Sequence, residues 1–439
     1  MRKMTQGSIA RHLIAYALPL ILGNIFQLTY NAVDSIVIGK FAGENALAAV
    51  SAANPVMTIV ILGVSGVSIG ASVLMSRFFG AGDTQKLRRE VATTLVFGAI
   101  ASLIVFLIGL PLSEPVLRLM NVPADVLPMA AGYLRVIFVG FLFTFQYNIL
   151  AAALRSVGDS KTPVIFLAVA SVMNAGLDVV FVAFGKWGVI GAGAATVIAE
   201  GASALLCAAH IYRNIPLLHL SLRDLRIDKT LLSETVSYGA ITALQQACQP
   251  IGKAVIQSVI NAQGVSVMAA FNAVSRIDDF ACIPEQSISS GIMTCIAQNR
   301  GAGEHERVGE TFRCGMSMEA VYGVLICLIV LAVKTPVMRL FAAQDSVSMV
   351  GMGVDYLTLM AFFYVLPGLT NGIQGYFRGM GEMKTTLIAT FIQISVRALV
   401  VWLLVPRIGL NGAAWACAAG WCLMLIYTFL RYQKVRMKE

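Results

Sequence analysis

The sequence predicts an all-α integral membrane protein: twelve transmembrane helices in two parallel-repeat six-helix lobes, related by a pseudo-twofold axis along the membrane normal. Three observations carry this. The 439 residues are 58% hydrophobic and only 13% charged, against about 25% charged in a soluble globular chain. Apolar residues fall in blocks of roughly 20 or more between short polar knots, as helices crossing a bilayer core about 30 Å thick require. Barrel strands would instead alternate over about ten residues. Third, the sequence matches itself after a shift of 221 to 223 positions.

Taken in order, the first span covers 12–38. It follows the basic stretch MRKMTQGSIAR, is long, lacks a small-residue cleavage site and precedes many others, so it is read as a span and not as a signal peptide. The second, 47–77, ends at the knot RFFGAGD. The third and fourth, 91–112 and 127–153, lead to LRSVGDSKTP, and the fifth and sixth are 162–184 and 188–212. A basic loop, 213–230, links the lobes 1–212 and 231–439. The second lobe repeats the order: 231–260, 266–297 ending at QNRGAGE, 311–333, 349–376 ending at RGMGEMKT, 385–406 and 409–431. Spans longer than a straight crossing needs are absorbed by tilt or by extension beyond the bilayer.

The charge distribution orients the chain. With the N-terminus inside, 22 Lys and Arg fall on inside segments, from Arg2 through Arg213, Arg223, Arg226 and Lys229 to Lys438. Six fall outside: Lys40, Arg118, Lys186, Lys334, Arg339 and Arg407. The positive-inside rule then puts both termini in the cytoplasm, and a multi-pass protein of the cell (plasma) membrane is expected. The net charge of +9 is thus a topology signal, and no nucleic-acid partner is expected.

The repeat is read from several matches in one order. PVLRLM (115–120) meets PVMRLF (336–341), and GVIGA (188–192) meets GLNGA (409–413). NILAAALRSVGDSKTP (148–163) meets NGIQGYFRGMGEMKTT (371–386). The shift spans six helices, an even number, so both halves enter the membrane in the same sense. Secondary transporters commonly use such parallel repeats. In the knots, Gly permits a tight helix end and the acid caps the next segment.

Several chemistries are excluded. Eight Cys are scattered without a CxxC pair, four His without HExxH, and neither Gly knot fits GxxxxGK[ST]. No protein-built transition-metal site, nucleotide-driven step or cofactor is expected, and no nucleophile–base pair points to an enzyme.

GAGD, AQNRGAGE, LRSVGDSKTP, NAGLD and GAGAATV on this frame resemble the multidrug and toxic compound extrusion (MATE) family, in its bacterial form, over essentially the whole chain. The resemblance implies a secondary antiporter that exchanges H⁺ or Na⁺ for small organic substrates by alternating access. The alternative is a lipid-linked precursor flippase of the same superfamily. A monomer in contact with membrane lipid is expected.

The first half carries acids inside its spans. A charge there costs on the order of 2.5–3.5 kcal/mol on insertion scales, so it usually faces a cavity or a partner. Asp34 and Asp178 lie in the outer parts of the first and fifth spans, at similar depth. Asn174 is one turn before Asp178, and Thr196 and Glu200 are one turn apart in the sixth span. These oxygens can ligate Na⁺ (Asp34, Asn174, Asp178, Thr196). Alternatively, desolvation and mutual repulsion let the acid pair hold a proton. The resemblance implies a cation-coupling set of Asp34, Asp178, Asn174, Thr196, Tyr133 and Asn148, with the first helix bending near Pro19.

The second half departs from this pattern. The repeat maps Asp34 to Val255, Asn174 to Arg397, Asp178 to Val401 and Thr196 to Cys417. Lys253, Arg397, Glu285 and Gln249 are its candidate substrate residues. Lys253 or Arg397 is expected to pair with Glu285, and such a cationic lobe suits anionic or zwitterionic substrates as well as cations.

Overall fold

A computed structural model describes residues 3–221, 224–341 and 347–436, without the side chains of 30, 31, 347 and 436. Arg2, Arg223 and Lys438, counted in the charge asymmetry, lie outside the described residues, as does the side chain of Arg436. All regular structure among the described residues is helical. The helices are α1 (Ile9–Phe41), α2 (Glu44–Gly80), α3 (Thr84–Leu119), α4 (Leu127–Ser156), α5 (Lys161–Asp178), α6 (Gly188–Asn214), α7 (Lys229–Asn261), α8 (Val265–Ala302), α9 (His305–Leu340), α10 (Val347–Phe363), α11 (Val365–Gly379), α12 (Met383–Ile408) and α13 (Asn411–Arg436).

Each predicted span has its helix, with one subdivision. The tenth span is two helices bent by 43°. Pro367, in the first turn of α11, has no N–H for the carbonyl of Phe363, so the ladder breaks there. Nine helices among the described residues are long and apolar enough to cross a membrane, or ten with the bent pair. The two outside that set are α7, with Gln245, Gln246, Gln249, Lys253 and Gln257, and α8, with Arg276, Asp278, Asp279, Glu285 and Gln286. Of these only Gln245 and Glu285 are buried; Gln249, Lys253, Arg276, Asp279 and Gln286 are exposed.

The turns explain the repeated knots. Gly82, Gly158, Gly303 and Gly381 all have φ between 71° and 81°, where a side chain would be strained. In all four turns the glycine N–H and the following N–H reach back to the preceding helix. Asp83 N donates to Phe78 O, Asp159 N to Leu154 O, Glu304 N to Asn299 O and Glu382 N to Phe377 O. This is the backbone pattern that closes a helix C-terminus. Gly43 and Gly264, and Gly188 and Gly409, form two more positive-φ pairs, each 221 residues apart.

The chain divides into two compact units. Unit 1 is Met1–Lys3 with Pro19–Ala243, and unit 2 is Met4–Leu18 with Leu244–Glu439. These bounds differ from the lobes 1–212 and 231–439 because α1 and α7 are each divided within their length. α1 changes unit at Pro19.

In unit 1, the core collects α2, α3, α4 and α6 around residues such as Leu74, Phe145, Ile149 and Leu154. A second cluster packs Ile38, Leu134, Phe138 and Val182. The first part of α7 lies on α2 backbone to backbone. A Cβ on Gly66 would stand 2.4 Å from Gly239 O, and one on Gly239 would stand 2.8 Å from Val67 Cα. Small residues at i and i+4 permit this approach between membrane helices. Glu90 of α3, fully buried, accepts from Thr235 Oγ1 of α7 at 2.6 Å and from Thr94 Oγ1 at 3.1 Å.

In unit 2, α8, α9 and α11 pack closely, as do α12 and α13. The initial segment joins them: Met4 N donates to Gln298 Oε1 at 2.9 Å, Tyr16 OH meets Thr294 Oγ1 at 2.9 Å, and Arg307 Nη2 donates to Gly7 O at 2.7 Å.

Candidate functional site

The acid pair of unit 1 is assembled by the last turns of α1 and the end of α5. Asp178 is the final α-helical residue of α5; Val179–Phe184 continues as a π-helix. Gly185 N consequently reaches Val180 O, five residues back. Such wide turns are rare and concentrate at functional positions. The Asp34 and Asp178 side chains meet within hydrogen-bonding reach. Two carboxylates only accept, so this contact is a hydrogen bond when one of them carries a proton.

Asp178 is 0% and Asn174 1% exposed. Asp34 Oδ1, both oxygens of Asp178 and Asn174 Oδ1 have no donor among the described residues. Asn174 Nδ2 points to Thr196 Oγ1 at 3.4 Å, and that hydroxyl donates to Ala192 O at 3.1 Å. Tyr133 of α4 is buried against Gly193 of α6, with Asp34, Asp178 and Glu200 as its electrostatic neighbours. Neither aspartate takes part in an ion pair among the described residues. A buried carboxylate normally has a cation or several donors. This one has acceptors, which is the environment that a proton or a hard cation completes.

Asn148 stands apart. It lies 15 residues after Tyr133 on α4, about 22 Å at 1.5 Å per residue. Its Nδ2 donates to Thr144 O at 2.8 Å. Thr144 Oγ1 in turn donates to Glu200 Oε2. Glu200, Thr144 and Asn148 therefore form a second polar node, one turn of α6 beyond Thr196.

Unit 2 corrects the expected ion pair. Lys253 Nζ meets Asp279 Oδ1 at 3.0 Å, with both side chains at least half exposed. Arg397 has Asp278 and Cys417 as neighbours, and Asp278 also accepts from Tyr364 OH. Glu285 pairs with neither cation; its Oε2 accepts from Asn371 Nδ2 at 3.4 Å. The reason is register: Asp278 and Asp279 lie about two turns before Glu285 on α8, beside Lys253 and Arg397. Gln249 Nε2 donates to Gln393 Oε1 at 3.4 Å. Next to it, Gln245 Nε2 donates to Gln374 Oε1 and Thr390 Oγ1, and Gln245 Oε1 accepts from Arg378 Nη2 at 3.1 Å. Sequence reasoning missed this amide cage. Its signal was present in the spacing of Gln245, Gln249 and Lys253 on one face of α7 and of Thr386, Thr390, Gln393 and Arg397 on α12.

The comparisons with known proteins decide the family. The MatE family model matches residues 19–180 and again 242–403. The chain belongs to the MatE family. The second match begins and ends 223 residues after the first, which is the repeat read from the knots. Among its relatives, "Probable multidrug resistance protein YpnP" of Bacillus subtilis is 29% identical over 393 residues, covering 89% of this chain and 87% of that protein. "Probable multidrug resistance protein NorM" of Thermotoga maritima is 25% identical, covering 92% and 88%. A solved structure described as the "Outward-facing conformation of a multidrug resistance MATE family transporter of the MOP superfamily" superposes with a TM-score of 0.91 at 22% identity, covering 99% of this chain and 97% of that one. This MatE chain is therefore an integral membrane transporter with the MATE fold.

Proposed function

We propose that this protein is a cation-coupled efflux antiporter of the cell membrane, exporting small organic compounds of the multidrug type by alternating access. The observation that carries the reading is the contact between half-buried Asp34 of α1 and fully buried Asp178 of α5, in which Asp34 Oδ1 and both oxygens of Asp178 have no donor among the described residues. Ionised and empty, the pair repels itself in a medium that does not solvate it. One proton shared between the carboxyls removes that cost. A Na⁺ held by Asp34, Asp178, the free Asn174 oxygen and Thr196 removes it by another route. Either cation then favours one packing of α1 on α5 over another, and differential binding is what shifts a transporter between states. Pro19 supplies the flexible point, since a proline inside a helix removes one ladder bond.

In this reading the basic turns after α2, α4, α8 and α11 face the cytoplasm with both termini, and the monomer is the working unit. The relatives' names support multidrug substrates; the flippase alternative finds no support in the comparisons. The amides and arginines of unit 2 suit zwitterionic or anionic as well as cationic compounds.

Transport in proteoliposomes tests this. Substrate should accumulate when an inward pH or Na⁺ gradient is imposed alone, and the effective gradient names the ion. Equal, purely downhill flux under both gradients would show that no cation is coupled.

A further inference from the structure

Unit 2 contains a buried acid pair that the repeat does not foresee. Glu285 of α8 and Glu319 of α9 are each 0% exposed and are electrostatic neighbours. Both converge on one turn of α11. Asn371 Nδ2 approaches Glu285 Oε2 at 3.4 Å. Glu319 Oε2 lies 3.4 Å from where a Cβ on Gly368 would stand, and Glu319 Cγ lies 3.2 Å from that of Gly372. Ser289 Oγ donates to Asn371 O at 2.6 Å and fixes the turn. Both oxygens of Glu319 and Oε1 of Glu285 have no hydrogen-bond partner among the described residues.

Neither glutamate is in an ion pair among the described residues. The α11 turn 368–372 reads Gly-Leu-Thr-Asn-Gly and brings no charge. The remaining ionisable neighbours are Tyr322 of α9, whose hydroxyl donates to Ala281 O at 2.8 Å, and Cys282 and Asp278 of α8. Asp278 is occupied by Tyr364. Two ionised carboxylates, one with a single long contact and the other with no partner at either oxygen among the described residues, are a costly buried state. A carboxylic acid is different: its O–H supplies the missing donor and its charge is gone.

We propose that Glu285 and Glu319 form a proton-binding site of unit 2, distinct from Asp34 and Asp178. Its ligand is the proton, carried first by Glu319, the acid with no partner at either oxygen. Release to water requires α8, α9 and α11 to part, because these helices enclose both groups. Proton occupancy therefore holds the three-helix packing closed, and proton loss favours an opened one. The site stands independently of the coupling assigned to unit 1: the spectra test it without transport, and only the proteoliposome measurement rests on the antiport reading above.

Infrared spectra of the purified full-length protein record the carbonyl stretch of protonated carboxyls as pH is raised. At neutral pH, a component lost in Glu319→Gln and altered in Glu285→Gln, but retained in Asp178→Asn, is the expected result. In proteoliposomes the same Glu319→Gln protein should accumulate substrate with a shallower dependence on the pH gradient, by one proton per cycle. Spectra of folded Glu319→Gln and Glu285→Gln identical to wild type in this region overturn the proposal. So does loss of the component on adding Na⁺, which would make the pair a sodium site. Should either variant fail to fold, wild type labelled with carboxyl-¹³C glutamate decides in a Glu90→Gln background, which removes the other fully buried glutamate: an isotope-shifted protonated-acid band supports the proposal, and its absence overturns it.

Discussion

The two units share a scaffold and differ in where they bury acid. Unit 1 has Asp34 and Asp178 on α1 and α5; the matching positions of unit 2 are Val255 and Val401, the latter deep in an apolar core. Unit 2 has Glu285 and Glu319 on α8 and α9; the matching positions of unit 1 are Val64 and Gly98. At Gly98 the Phe145 ring fills the space, 2.6 Å from where a Cβ would stand. At Val64, Gly98 and Val401 apolar packing thus stands where the other half has an acid, while Val255 is an exposed apolar residue. The turns, by contrast, are held at the same φ and the same hydrogen bonds in both halves. Backbone geometry is hard to change without strain, whereas a polar interior position can be exchanged for a methyl whenever its neighbours close the gap.

The most severe way to break this comparison is Asp178→Asn. The amide keeps the shape, so insertion and folding should persist. Coupling should fall about 5- to 150-fold, the usual range for one linked site, read as substrate accumulated against an imposed gradient. Full accumulation in that variant would leave the acids of unit 1 without their role and remove the contrast between halves.

Next in size is a pair of glycines 221 residues apart. A Cβ on Gly70 would stand 2.9 Å from Gly239 N and 3.0 Å from Thr235 O, both backbone atoms of the first part of α7. A Cβ on Gly291 would meet Leu13 Cδ2 and Tyr16 Cδ1 at 3.5 Å, ordinary contact. Gly70→Ala should therefore destabilise by about 1–3 kcal/mol through overpacking, and Gly291→Ala by less than about 0.5 kcal/mol. Thermal unfolding of the two variants in one detergent compares them directly; equal midpoints would mean that the close approach is not specific to unit 1.

Much of this organisation was legible in the sequence. The knots around Gly82, Gly158, Gly303 and Gly381 announced the duplication because only glycine tolerates that φ. An acid in an apolar run announced Asp34 and Asp178, and the matched depth of their spans brought them together. The same signal was present at Glu285 and Glu319, but the repeat offset paired them with nothing, and spacing along one helix does not tell which neighbour a side chain meets. The expected Lys253–Glu285 or Arg397–Glu285 pair failed for that reason. Asn148 matched by residue type; it lies about 22 Å along α4 from Tyr133 and in the Thr144–Glu200 node, one turn of α6 beyond Thr196. The break at Tyr364 was readable in principle from Pro367, but an apolar run continues across it.

The caps sharpen the comparison at smaller cost. Asp159 receives Thr162 N at 3.0 Å and Thr162 Oγ1 at 2.7 Å, whereas its counterpart Glu382 makes no side-chain cap bond to α12. The extra methylene carries the carboxylate past the first-turn N–H groups. Asp159→Ala should cost about 0.5–2 kcal/mol, and Glu382→Ala only a few tenths. Loss of stability of the same size in both would show that the glutamate also caps.

The smallest effect expected is one of pH. Asp83, the exposed N-cap of α3, accepts from Lys86 N at 2.9 Å, and this N–H holds its carboxyl below the ordinary carboxylate range. A folded-state pKa lowered from its unfolded value of about 3.9 contributes stability that is fully present above that value. The contribution is lost as pH falls through the lowered one. Asn caps as well as Asp but does not titrate, so wild type should exceed Asp83→Asn in thermal midpoint at neutral pH. The gap should close on acidification below about pH 4. Glu304, the matching N-cap of α9, makes no side-chain cap bond, so Glu304→Gln should track wild type throughout. A gap for Asp83→Asn that is constant with pH would mean that the hydrogen bond seen at Lys86 does not distinguish the charged cap from the neutral one.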